Sequence, residues 1–380
     1  MDVARLTGAA DQLPRTHNEP LPQLQFKRQP QDFQVDEVLG FELSGSGEHL
    51  WVQVRKTGIN TADVVRRLAN AAGITPRHIG FAGLKDRQGV CRQWLSLHLP
   101  GWRADDLAAA LQPGHVWPDG ALAVEQASWN HRKLKRGSHR ANAFRIRLYA
   151  NAAIDADQQR QLEHRLTLIG EQGVPNYFGA QRFGFDNLGK ARQLFSGQPQ
   201  RLGRNERSLV LSAARSALFN AVLAQRVTDG SWCQYIEGDV LNLAGTGSVF
   251  VAEPDDPEVA ERVNSGDVHP TGPLWGRGDR LIRGRARALE DAVLADWQLF
   301  CQGLEQAGLE QQRRSLRLPV QALHYRFFPD ATGLELTFTL STGSYATAVL
   351  HELADLQSGA GTGNAAPGVN PDAQTESRVL

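Results

Sequence analysis

Gly80-Phe81-Ala82-Gly83-Leu84-Lys85-Asp86-Arg87 sets one carboxylate between two cations at the mouth of a glycine-loosened turn. The apolar residues from Ile79 to Leu84 lead into it and a second apolar run, Trp94 to Leu99, follows. This spacing predicts a strand–turn–strand tip. A carboxylate flanked by Lys85 and Arg87 is favoured in its ionised form, which suits a nucleophile or a base rather than an acid. Taken alone, Lys-Asp-Arg at a turn is more often a solvated loop. The rest of the chain has to decide.

Upstream of the tip, Leu50, Val52 and Val54 alternate with Trp51, Gln53 and Arg55, a strand ending at Thr57-Gly58. Asn60 or Thr61 then caps a helix with Val64, Val65, Leu68 and Ala72 on one face, stopped by Gly73. Downstream, Phe144, Ile146 and Leu148 alternate with Arg145 and Arg147 as another strand, whose apolar face is core by default. Helical spacing returns at Leu162, Leu166 and Ile169 before Gly173. From Gly170 to Gly189 glycine, proline and asparagine are frequent, and a helical pattern resumes near Ser212 to Val227. Loops are expected from Gly238 to Arg287 and one helix from Ala288 to Ala307, carrying Leu289, Val293, Trp297, Phe300 and Leu304. Leu334, Leu336, Phe338 and Leu340 alternate as a strand, and Tyr345 to Leu353 is a short helix. Residues 356–380, rich in Gly, Ala, Pro, Asn and Ser, read as a disordered tail.

The 380 residues allow two domains of ordinary size, and 41% hydrophobic content supports real cores. Nothing approaches an 18-residue apolar run, so no membrane span is expected. Met1 to Pro20 is polar and lacks an apolar signal core, which points to a cytosolic protein. Cys91, Cys233 and Cys301 are far apart and lack metal-ligand spacing, so neither a disulfide framework nor a zinc site is expected.

Net charge is formally zero, with 41 basic and 41 acidic residues, so charge must be read locally. Between His131 and Arg147 stand Arg132, Lys133, Lys135, Arg136, Arg140, Arg145 and Arg147 with no acid among them. Arg277, Arg280, Arg283, Arg285 and Arg287 form a second cluster around Asp279, and Arg201, Arg204, Arg207 and Arg215 a third around Glu206. Such runs are more often solvated faces. The first, acid-free and leading into Asn142-Ala143-Phe144, is the one expected to meet phosphate, through Arg132, Lys133, Lys135 and Arg136.

Phe81-Ala82-Gly83-Leu84-Lys85-Asp86-Arg87 resembles the catalytic motif of the TruD family of pseudouridine synthases. Gln31-Asp32-Phe33-Gln34-Val35-Asp36-Glu37 is similar to that family's first segment, and Asn142-Ala143-Phe144 to its Asn-x-Phe segment. Gly173-Val174-Pro175-Asn176-Tyr177-Phe178-Gly179-Ala180-Gln181-Arg182-Phe183-Gly184 resembles its most distinctive stretch. Leu211 to Asn220 and Gly343-Ser344-Tyr345-Ala346-Thr347 complete the set, in family order from about Phe26 to Leu353.

The resemblance implies an α+β protein. A pseudouridine synthase fold with a mixed, largely antiparallel central sheet would come from about 20–168 and 316–355, with an inserted α+β TruD-specific domain at about 169–315. It implies that Asp86 is the catalytic carboxylate, that Phe33, Phe144 and Tyr345 are pocket residues, and that Asn142 is a polar contact. Lys27 sits where the family often has a lysine near the carboxylate, and Lys85 joins as a substrate contact. Tyr345 departs from a more usual phenylalanine: the stacking ring is kept and a hydroxyl is added. The implied activity converts a uridine of tRNA, at position 13 of the D arm, into pseudouridine. That isomerisation has no net redox change and no group donor, so it calls for no cofactor. The sequence agrees: Gly80 to Lys85 lacks Walker spacing, and there is no dinucleotide-binding glycine pattern and no metal constellation. Whether Asp86 attacks the sugar or base, or removes a sugar proton, stays open. So does the oligomeric state, a monomer included. The competing class is a non-catalytic tRNA-binding or tRNA-folding protein on the same scaffold, which would have no need of an ionised carboxylate in a cationic groove.

Overall fold

Period-two alternation builds the strands of the larger of the two main sheets. The computed structural model describes residues 13–17, 22–198, 201–253 and 256–358. The first part carries β1 (Gln23–Phe26), β2 (Phe33–Val38), β3 (His49–Thr57), β4 (Ile79–Phe81), β5 (Val90–His98), β6 (Leu122–Asn130) and β7 (Ala141–Ala150). The middle adds β8 (Val174–Pro175), β9 (Val240–Leu243), β10 (Val249–Val251), β11 (Val268–Leu274), β12 (Gln312–Ser315) and β13 (Arg317–Leu318). The last part adds β14 (Gln321–Phe327), β15 (Gly333–Ser341) and β16 (Asp355–Ser358).

One sheet runs in the order β14-β15-β7-β2-β5-β3-β6, with β1 beside β7 and β16, and β4 beside β5. Within it β1–β16 and β2–β5 are parallel and the other pairings antiparallel. The sheet is thus mixed and mostly antiparallel, and it gathers strands from both ends of the chain. Leu24, Phe144, Ile146, Leu148 and Phe338 pack with Leu166 and Val349 of helices Ala156–Gln172 and Ala346–Leu353. Helix Thr61–Ala72 packs Val64 and Leu68 against Leu50, Val54 and Leu95. Its start and stop follow local chemistry: Asn60 Oδ1 accepts from the Asp63 N–H, and Gly73 takes a left-handed φ of 63°.

The middle of the chain builds a second core around helix Arg204–Thr228, with Asn187–Phe195, Gly284–Leu294 and Gln298–Gln306 beside it. A four-stranded sheet, β10-β9-β11-β12, completes this region. The two chain segments entering and leaving it meet in the β8–β13 pair, Val174 opposite Leu318 and Pro175 opposite Arg317. Gly173 permits that meeting: its φ is +74°, and a Cβ there would lie 2.4 Å from the Leu318 carbonyl oxygen. Asn220 then locks the next turn, its side-chain amide both accepting from and donating to the Phe178 backbone at 2.9 Å.

Three expectations change. The region expected to be looped, Gly238 to Arg287, holds β9, β10, β11 and helix Val259–Ser265; the strands are short, and Pro270 and Pro273 inside β11 disguise its period. The single helix expected from Ala288 to Ala307 is two helices divided by a 3-10 turn, Ala295–Trp297. Leu356 and Gln357 belong to strand β16, paired with β1, rather than to a tail; residues 359–380 lie outside the described residues. No helix among the described residues is long and apolar enough to cross a membrane.

Candidate active site

The tip forms as its spacing predicts: β4 and β5 pair antiparallel, Phe81 opposite Leu95, and residues 82–89 turn between them. Two glycines are there because neighbours leave no room for more. A Cβ on Gly80 would lie 2.3 Å from the Leu134 carbonyl oxygen, and one on Gly89 would lie 2.7 Å from that of Phe33. The tip is therefore held against the basic 131–140 loop at its Gly80 end and against β2 at its Gly89 end.

The cations around Asp86 are not the two beside it in sequence. Lys85 Nζ turns to Glu37 Oε1 at 2.6 Å, both side chains being buried, and Arg87 Nε donates to the Gly58 carbonyl at 3.1 Å. Lys85 is thereby committed to a buried ion pair, which speaks against the substrate contact expected of it. A turn swings successive side chains apart, so flanking residues need not flank in space. Asp86 Oδ2 instead pairs with Lys27 Nζ, and its Oδ1 accepts from the Gln88 N–H at 2.9 Å. Lys27 holds a left-handed φ of 57°, uncommon for a residue with a side chain, and its Nζ lies 4.3 Å from the centre of the Phe33 ring. Burial pushes the Asp86 carboxyl up, but the Lys27 charge and hydrogen bond, the Gln88 N–H and Lys56 outweigh it and hold the group below its ordinary value. The carboxylate is ionised and, at 30% side-chain exposure, reachable.

Lys56 fixes the turn from behind. Fully buried, it donates to the carbonyls of Ile59 at 2.8 Å, Lys85 at 3.2 Å and Asp86 at 2.6 Å. Its ammonium is pushed down, chiefly by burial. Lys56 and Glu37 escaped the reading of the sequence, although a signal exists. Both are charges on the apolar phase of an alternating strand: Val52, Val54, Lys56 in β3 and Phe33, Val35, Glu37 in β2. A charge in that phase is buried by its strand and must find partners.

Register brings the remaining candidates together. Asn142 lies opposite Glu37 and Phe144 opposite Val35 across the β2–β7 pair, while Phe338 of β15 faces Phe144. Phe144 stacks on Phe338 at 5.3 Å between ring centres and meets Phe33 edge-on at 6.1 Å. Phe33, Asn142 and Phe144 are each below a tenth exposed; both rings belong to the core cluster, and Phe33 also borders the Lys27–Asp86 pair through Lys27 Nζ. His139, also buried, is held low by burial, with Glu37 opposing and Lys85 reinforcing. Tyr345 is the N-cap residue of helix Ala346–Leu353. It packs against the middle core, and its added hydroxyl accepts from Arg182 Nη2 at 3.2 Å. Arg182 also donates to Ser212 at 3.1 Å, so the distinctive 173–184 stretch ties β8, the long helix and the start of helix Ala346–Leu353 into one junction.

The basic loop is bolted to the tip. Leu134 N–H donates to Ser96 Oγ at 2.9 Å, Gly137 N–H to the Ala82 carbonyl at 2.8 Å, and Lys133 Nζ to the Arg77 carbonyl at 2.8 Å. The Arg136 guanidinium lies 3.7 Å from the centre of the Phe81 ring. Arg132, Lys133 and Lys135 are exposed and have no carboxylate partner among the described residues. The Arg277–Arg287 cluster differs: Arg280 pairs with Glu290 and Asp291, Arg277 with Glu310, and Arg287 with Asp291.

Comparison with known proteins adds to this geometry. The family model for tRNA pseudouridine synthase D (TruD) matches residues 17–191 and 186–353. A Stutzerimonas stutzeri protein named tRNA pseudouridine synthase D is 47% identical over 353 residues, covering 91% of this chain and 97% of its own. One of the same name from Methylococcus capsulatus is 46% identical over 347 residues, covering 91% and 95%. A solved chain from Methanosarcina mazei, carrying the TruD name, shares the fold: its TM-score is 0.71 at 18% identity, over 94% of this chain and 99% of that one. With matches spanning both the Asp86 tip and the 173–184 junction, this chain belongs to the tRNA pseudouridine synthase D (TruD) family.

Proposed function

We propose that this protein is a tRNA pseudouridine synthase that isomerises the uridine at position 13, with Asp86 as the catalytic carboxylate. One observation carries the reading: an ionised, reachable carboxylate held by Lys27 at the border of the Phe33–Phe144 ring pair, with Asn142 on the same strand face. In the reaction the bond from ribose C1′ to N1 breaks, the base turns, and C1′ joins C5; the C5 proton leaves to solvent and N1 takes one up. Both openings, attack by the carboxylate on sugar or base, or removal of a sugar proton, begin from ionised Asp86. Lys27 holds that state. Because the target base must leave its stack, aromatic rings in the pocket supply the surface that it loses, worth about 1–3 kcal/mol per base. Phe33 and Phe144 take that part, with Asn142 as the polar contact, and Tyr345 closes the pocket from the junction side.

Residues 20–168 and 316–355 make the catalytic domain in this reading, and 169–315 an insertion hinged at β8–β13. Arg132, Lys133, Lys135 and Arg136 meet tRNA phosphates, and the protein works in the cytoplasm, where its substrate is. The test is tritium release from C5-labelled uracil in a bulk tRNA pool. Asp86→Asn keeps size and removes charge, so release should vanish while folding and tRNA binding remain. An Asn variant releasing tritium near the wild-type rate would sink the assignment.

A further inference from the structure

Leu39 and Leu43, in the loop after β2, point into a small core with Trp51, Ala82, Trp94 and Leu134. Phe41, between them, lies outside that core. It is 46% exposed and rests edge-on against Trp51, with ring centres 5.8 Å apart. The loop is held in place: the Arg140 N–H reaches the carbonyls of Val38 and Leu39, and Ser44 N–H donates to Asn130 Oδ1 at 3.3 Å. Phe41 thereby forms one wall of a cleft of about 550 Å³. The other walls are Trp51, three cations (Arg132, Lys133 and Lys135) and two neutral polar side chains, Asn130 and Ser138, with no carboxylate.

We propose that this cleft binds an unpaired nucleotide of the tRNA, its base stacked on Phe41 and its phosphates held by Arg132, Lys133 and Lys135. The proposal rests on the tRNA reading above and extends it to a second site beside the one that takes the target uridine. Charge complementarity selects the occupant. Every charge in the lining is positive and none has a carboxylate partner among the described residues, while one ring stands ready beside them. Ring plus cations is the combination that holds unstacked nucleotides irrespective of base. The volume lies within the range of small-ligand sites and suits a single nucleotide. Asn130 adds an orienting contact: with Oδ1 occupied by Ser44, its amide N–H groups are left to donate to a base carbonyl or ribose oxygen. The ring is pre-organised by a rigid loop, so stacking on it costs little ordering. Trp51, which lines the cleft, shares its core with Ala82, four residues before Asp86 and no more than about 14 Å from it along the chain. A nucleotide seated here would hold the RNA on the catalytic tip itself.

The experiment is equilibrium binding of unmodified tRNA transcript to wild type, Phe41→Ala and Phe41→Tyr across a salt titration, with tritium release measured at saturating tRNA. Phe41→Ala should weaken binding by about 5- to 100-fold at every salt concentration, leave the log–log slope unchanged, and keep turnover at saturation. Phe41→Tyr should bind close to wild type. Wild-type affinity in Phe41→Ala would overturn the site. So would a flattened slope, which would mean that Phe41 only props the cations, or an equal loss in Phe41→Tyr. If the wild-type protein released no tritium the isomerase reading would fail, while a Phe41-dependent affinity for tRNA would still support the cleft.

Discussion

Two acid–base pairs in this molecule look alike on paper and behave in opposite ways. Arg226 and Asp239 sit in the middle region with side chains 3% and 0% exposed, joined through two hydrogen bonds of 2.8 and 3.0 Å. Arg226 spends its other donors on the carbonyls of Ser231 and Gln234, and Asp239 accepts in addition from the Ile236 N–H. Lys27 and Asp86 share a single contact at side-chain exposures of 11% and 30%, and Asp86 has one further donor, Gln88. The first pair is hydrogen-bonded at every charged nitrogen and oxygen and has no access; it can only hold structure. The second has a fixed charge, spare lone pairs and a route to solvent, and that is what chemistry on a substrate requires.

The contrast breaks most visibly at its structural end. Arg226→Met leaves Asp239 buried and unpaired, which should cost about 3–5 kcal/mol in urea unfolding. A loss below about 1 kcal/mol would erase the distinction between the pairs. Next comes Phe144, shared between core and site. Phe144→Ala should cost about 3 kcal/mol and most of the tritium-release rate, whereas Phe144→Tyr should retain some activity. Full activity in a folded Ala variant would return Phe144 to the core alone.

Lys27→Met sharpens the comparison from the catalytic end. It removes the charge that holds Asp86 down, so kcat/KM should fall about 10- to 100-fold and its acid limb should move to higher pH. The linked stability effect has a definite sign. Because the folded carboxyl lies below its unfolded value, the pair stabilises the fold above about pH 4. That contribution disappears as pH falls through the lower, folded value, so wild type and Lys27→Met should converge in acid. The smallest effect is expected in the basic loop. A Lys133→Ala, Lys135→Ala, Arg136→Ala variant should lose roughly one unit of log–log salt slope per phosphate contact, alike for every tRNA, with turnover at saturation little changed. An unchanged slope would make the run a solvated face.

Local chemistry was legible from the sequence where the period is long and the punctuation sharp. β3 with its Thr57 end, the helix between Asn60 and Gly73, and the β4–β5 tip all stand where the spacing puts them. What pairs across distance was not. Lys27 lies 59 residues from Asp86, and nothing in the Lys-Asp-Arg triplet says that its own cations turn away. The family resemblance supplied Lys27; the alternation in β3 and β2 held Lys56 and Glu37 in plain view, because a charge in an apolar phase reads as noise until its partner is seen. In the middle region β11 was hidden by its prolines, and β16 by a composition that suggests a tail although β1 gives it a partner.

The strand that carries Asn142 and Phe144 has one neighbour that is born late. Arg147 of β7 bonds Glu335 of β15, 188 residues further along. At about 5–20 residues per second on the ribosome, β7 must wait about 10–40 s for that partner to emerge. Through the wait its open edge, in an apolar strand, is a template for wrong pairing and a natural client for chaperones. The β8–β13 clasp shortens the search once synthesis passes Leu318, because it delivers β14 and β15 to the place where β7 stands open. The strand that carries Asn142 and Phe144 therefore stands unfinished through most of synthesis: the wall behind it is among the last pieces to arrive.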